Sequence, residues 1–93
     1  MVSMERDTYL ELTYRNGKLF AGYLYLSGDK DEKVEWSRIA KSGLVVDYSS
    51  DGRPVGIEIT APSVVTVSDI HALLADLDQE VLPEEALAPL RSG

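Results

Sequence analysis

Asp47 and Glu58 are the acidic residues whose placement comes closest to chemistry. They flank a Ser49-Ser50-Asp51-Gly52 segment that reads as a hairpin turn, with apolar runs on both sides. In a hairpin closed by Asp51-Gly52, Tyr48 pairs with Val55, Val46 with Ile57 and Leu44 with Ile59. Val45, Asp47, Gly56, Glu58 and Thr60 then share the reverse face, with Glu58 diagonal to Asp47 and within reach of its side chain. Two such carboxylates can share a proton or contribute to a cation site. The plainer reading is a polar outer face whose acids pair with Arg38 or Arg53. A hard cation needs more oxygen ligands than this pair supplies.

The other chemical signals are weaker. Asp29, Asp31 and Glu32 resemble the start of a calcium loop, but the glycine and glutamate that the EF-hand spacing demands do not follow. His71 is the only histidine and falls beside an apolar stripe. No nucleophile elbow, Walker or dinucleotide motif is present. With no cysteine, disulfides, thiolate catalysis and cysteine zinc sites are excluded. No catalytic residue, metal or cofactor is expected, and the chain reads as non-enzymatic. The alternative is a metal-binding or hydrolytic domain using Asp47 and Glu58.

Thr8–Tyr14 and Lys18–Leu26 read as strands joined by Asn16-Gly17, residues that tolerate positive φ. A two-residue turn pairs Arg15 with Lys18, Tyr14 with Leu19, Leu12 with Ala21 and Leu10 with Tyr23. Tyr9, Glu11, Thr13, Phe20, Leu24 and Leu26 then lie on the other face. Neither face is cleanly polar, which implies that both are covered in part, one of them by another chain. Val34–Ala40, Gly43–Tyr48 and Val55–Thr60 complete about five strands. Gly52 supplies positive φ in its turn, and Gly56 permits a close backbone approach or a bulge. Ser68 reads as an N-cap for an amphipathic helix over Asp69–Glu80, with Ile70, Leu73, Leu74, Leu77 and Val81 as its apolar stripe. Pro83 opens a short second helix over Glu84–Ala88.

Gly43-Leu44-Val45-Val46-Asp47-Tyr48, the Asp51-Gly52 turn and Val55-Gly56-Ile57-Glu58-Ile59 together resemble a family of small bacterial proteins, domain of unknown function number twenty-two eighty-three. Tyr23-Leu24-Tyr25-Leu26-Ser27 resembles its upstream strand. The resemblance spans residues 21 to 62. It departs at Pro54, in the long Gly28–Lys33 loop and in the additional first strand. The resemblance implies a small sheet-plus-helix domain and no defined activity. For some members it implies the antitoxin half of a two-gene module.

Length and charge bound the rest. Ninety-three residues make one domain, 1–93, with 1–7 and 91–93 expected to fray. Sixteen acidic residues against nine basic ones give a net charge of −7, which disfavours direct nucleic-acid binding and anionic membranes and favours a basic protein partner. Met1–Asp7 does not read as a signal peptide, and no run approaches the roughly 20 apolar residues of a membrane span. A cytoplasmic location is expected. The fold expected is a two-layer α+β domain, an antiparallel meander of about five strands with a C-terminal amphipathic helix on one face. A homodimer is expected through the uncovered sheet face or an edge strand. Tyr9, Phe20, Tyr25 and Trp36 serve as aromatic anchors, and Asp76, Asp78 and Glu80 as an acidic docking surface for a basic, toxin-like protein.

Overall fold

The structure, a computed structural model, describes residues 9–26, 33–79, 87–88 and 90. Tyr9's side chain, Asp29, Asp31, Glu32, Glu80, Val81, Pro83, Glu84 and Glu85 lie outside the described residues, as do both termini.

Five antiparallel strands form one sheet: β1 (Tyr9–Arg15), β2 (Lys18–Tyr25), β3 (Trp36–Lys41), β4 (Leu44–Tyr48) and β5 (Pro54–Ile59). A short 3-10 turn at Pro62–Val64 leads to the helix α1 (Val67–Asp76). The α+β class is the one the sequence predicts. The strand order is β1-β2-β5-β4-β3, so only β3 to β5 form a meander. β2 crosses to pair with β5, placing β5 at the centre and β1 and β3 at the edges.

Leu24, Leu44, Val46, Ile57 and Ile59 line one face of the sheet, and Ile70, Leu73 and Leu74 of α1 close over them. Leu87 and Leu90 join the same core. This is the quartet-under-helix arrangement that alternation after Gly43 predicts, and burial of these side chains contributes about 1.5–3 kcal/mol each.

Two registers differ from expectation, each through a bulge. Asn16 and Gly17 make the two-residue turn with φ of 55° and 78°. Arg15 and Tyr14 pair with Lys18 and Leu19 as expected. The ladder then slips at Phe20, so that Leu12 faces Gly22 and Leu10 faces Leu24 instead of Ala21 and Tyr23. One extra residue on β2 exchanges its faces. Leu10 and Leu12 therefore pack against the core, while Tyr23 and Tyr25 turn to the opposite face together with Glu11.

In the second hairpin the loop is three residues long. Gly52 N–H donates to the Ser49 carbonyl at 3.0 Å, and Ser49 N–H donates to the Arg53 carbonyl at 2.9 Å. Gly52 has φ of 85°, the glycine position of such a loop. Tyr48 consequently faces Pro54, not Val55. A bulge at Val55 then restores the register, so Val46 and Leu44 meet Ile57 and Ile59 as expected.

The helix starts at Val67, not Asp69, because Thr66 is its N-cap. Thr66 Oγ1 accepts from Asp69 N–H at 3.0 Å, and the Asp69 carboxylate accepts from Thr66 N–H at 2.9 Å. This reciprocal pair is a capping box, which Ser68 does not supply. The helix stops at Asp76, short of Glu80. Asp78 adopts φ of 58°, with its N–H donating to Ala75 and the Gln79 N–H to Leu74. That bond pattern is a Schellman closure with aspartate in the usual glycine position. Asp78→Gly should therefore stabilise the fold by about 0.5–1 kcal/mol, since it relieves the left-handed strain and removes an acid from the negative helix end. Urea denaturation of the two proteins checks this.

Candidate functional site

The face opposite α1 is built from two lateral rows. One runs Glu11–Tyr23–Glu58–Val45–Ile39 across all five strands. The next runs Tyr9–Tyr25–Gly56–Asp47–Ser37. Asp47 is 4% exposed, a carboxylate embedded in the sheet. An embedded carboxylate is tolerated only if its oxygens are hydrogen-bonded. Ser37 Oγ donates to Asp47 Oδ1 at 2.6 Å from β3, and Tyr23 Oη donates to Oδ2 at 2.8 Å from β2. Glu58 lies diagonal to it across the β4–β5 pair and is its electrostatic neighbour.

The electrostatics follow from this packing. The hydrogen bond to Asp47, partial burial and repulsion by the Asp47 charge push Glu58 up to about 7. Burial, the bond to Asp47 and the nearby carboxylates move the Tyr23 phenol well above its ordinary range. The arrangement is an embedded carboxylate bonded by a phenol and a hydroxyl, beside a second carboxyl that holds its proton more tightly than an ordinary glutamate.

Gly56 makes this geometry possible. The Tyr23 ring lies directly over it, and a Cβ there would collide with the phenol oxygen. The glycine is thus required by a close side-chain approach, while its backbone remains ordinary strand. Tyr25 stands edge-on to Tyr23 with centroids 4.7 Å apart, and Tyr25 Oη donates to Glu11 Oε1 at 2.9 Å.

Asp47 and Glu58 are brought together as the hairpin pattern predicts. Their expected arginine partners are elsewhere. Arg38 donates to Tyr48 Oη at 3.0 Å on the helix-side face, and Arg53 Nε lies 3.8 Å from Asp51 Oδ2 in the turn. Asp51 also accepts from Ser49 Oγ and from Arg53 N–H, so it serves the loop. Tyr23 and Ser37 are the partners that sequence reasoning missed. The signal was hidden because Tyr23 reaches Asp47 only through the β2–β5 pairing, which joins strands distant in sequence. Both Asp47 oxygens are engaged by protein donors, and no group of three or more metal-ligating side chains occurs among the described residues. The pair is therefore suited to holding a proton and poorly suited to a metal.

The remaining predicted residues do not converge. Trp36 is 48% exposed and stacks on Tyr48 at 4.0 Å, on the helix-side face and opposite to Tyr25. Phe20 lies at the bulge beneath the Arg15 guanidinium, 4.2 Å from its ring centre. Asp76 and Asp78 are exposed at the end of α1, where Asp78 has the conformational role given above. His71 is half-buried on α1, away from the carboxyl pair.

Residues 21–62 match the family described as "Protein of unknown function (DUF2283)". The match covers less than half of the chain. It takes in most of β2, all of β3 to β5 and the 3-10 turn, and hence Tyr23, Ser37, Asp47, Gly56 and Glu58 together. β1 and α1 lie outside it. No curated protein and no solved structure matches the chain. Among the described residues no helix is long and apolar enough to cross a membrane.

Gly56→Ala should cost about 1–3 kcal/mol by driving Tyr23 off Asp47. Tyr23→Phe should cost about 1–3 kcal/mol by leaving a buried acceptor short of a donor. A double-mutant cycle with Tyr23→Ala, followed by chemical denaturation, checks the first: the alanine cost should largely vanish when the ring is absent.

Proposed function

We propose that this chain is a non-enzymatic interaction domain whose open sheet face docks a second copy of itself. The observation that supports this is Ile39, 73% exposed at the end of a row that continues through half-buried Val45 and Tyr23, on the face that α1 leaves uncovered. The carboxylates of that face are met from within the chain: Asp47 has Ser37 and Tyr23, Glu11 has Tyr25, and Glu58 tends to keep its proton beside Asp47. A face whose acids are internally satisfied offers little to a cationic partner and suits an uncharged one.

The strand order supports a two-fold arrangement. With β5 central, a dyad near Glu58 carries the aromatic flank on β2 over the aliphatic flank on β4 and β3 of the other copy. Five strands about 4.8 Å apart and about six residues long at 3.3 Å present roughly 480 Å² in projection. That is below the roughly 800 Å² per partner of a standard stable interface, so the dimer is expected to be reversible.

A second reading is a regulatory or antitoxin-like partner for a basic protein. It is favoured by Asp76 and Asp78, exposed at a helix end with no basic residue in its last turn. Charge reversal at both positions should abolish binding under that reading and leave self-association unchanged under the first.

Sedimentation equilibrium at micromolar concentrations checks the preferred reading. Wild type should be in monomer–dimer equilibrium, and Ile39→Lys should raise the dimer Kd by at least about tenfold, equivalent to about 1.4 kcal/mol, with an unchanged circular dichroism spectrum.

A further inference from the structure

We propose that the Asp47–Glu58 pair makes docking on the open sheet face proton-dependent, so that a second copy seats on the singly protonated pair and is released when the pair loses its proton. This rests on the self-docking reading. The geometry carries it. Glu58 sits on the central strand at the middle of the face, half-buried, beside an embedded Asp47 whose oxygens are taken by Tyr23 and Ser37. A partner sheet laid over this point removes the remaining water from Glu58.

Among the described residues no cation is recorded against Asp47 or Glu58: Arg15 lies over the Phe20 ring at the end of the first hairpin, and Arg53 reaches Asp51 in the turn. β4 presents Asp47, β2 presents the phenols of Tyr23 and Tyr25, β1 presents Glu11, and β3 presents Ser37 and Ile39. Arg38 and Lys41 of β3 point to the other face, toward Tyr48 and Asp69. Asp69, His71 and Asp76 belong to α1, which packs on that other face. With its proton, Glu58 is a neutral group that the docked face can cover. Without it, two adjacent carboxylates per copy meet their symmetry mates, and desolvation opposes docking.

The sign is definite. Glu58 ionises near 7 in the folded chain, above the ordinary 4.5. The folded form therefore holds more protons than the unfolded form between those values, so folding stability falls as pH rises from about 4.5 through 7. Docking that holds Glu58 protonated shifts the same way. Above 7, each copy must take up a proton to dock, so Kd rises with pH.

Sedimentation equilibrium of the full chain at pH 6.0 and 8.5, at constant ionic strength, tests this. Wild type should show a Kd at least about tenfold higher at pH 8.5, given uptake of up to one proton per copy. Glu58→Gln, which keeps the shape without the charge, should dimerise equally at both pH values. His71→Gln should keep the wild-type pH dependence. An equal wild-type Kd at both pH values, or a Glu58→Gln protein that remains pH-dependent, overturns the proton gate and leaves self-docking intact. A chain that is monomeric at both pH values, with Glu58→Gln monomeric too, overturns the self-docking reading and the gate with it.

Discussion

A carboxylate buried in the middle of a β-sheet imposes more on this chain than any apolar contact does. Asp47 has almost no access to water, so its two oxygens have to be filled by groups that the fold itself delivers. Ser37 comes from an edge strand and Tyr23 from two strands away. Each delivery constrains the backbone. Tyr23 reaches across β5 only because Gly56 has no side chain, and it faces the right way because the β2–β5 ladder sets it opposite Glu58.

The bulges are therefore register devices. The apolar face needs Leu24 beside Ile57, and the polar face needs Tyr23 beside Glu58. The Asn16-Gly17 turn fixes the pairing at the tip of the first hairpin, and without the slip Leu10 and Leu12 would lie on the face with Tyr23. The single extra residue on β2 sends both leucines to the core. In the second hairpin the bulge at Val55 compensates a three-residue loop and keeps Val46 opposite Ile57. Two local irregularities thus reconcile turn chemistry with a two-faced sheet.

The two layers divide the labour of the molecule. One face is sealed by a helix whose start is set by a Thr66–Asp69 capping box and whose end is set by the left-handed Asp78. The other carries a row that runs from an acid through an aromatic ring and a protonatable carboxyl to bare aliphatics. One side of the sheet is thus held rigid by the helix, and the other is left open by it.

The sequence by itself determined the class and the elements. Alternation after Gly43 set the core quartet, Asn16-Gly17 and Gly52 set the turns, the spacing of Ile70, Leu73 and Leu74 set the helix face, and the hairpin alone placed Asp47 near Glu58. These are short-range properties, fixed by periodicity and by the φ that a residue tolerates. The tertiary structure decided the rest. That β2 crosses to β5, that Tyr23 and Ser37 converge on Asp47, and that Trp36 and Tyr25 part to opposite faces all depend on strand order and on single-residue slips. A one-residue slip leaves the apolar and polar composition of a strand unchanged while exchanging its faces, so no pattern along the chain records it.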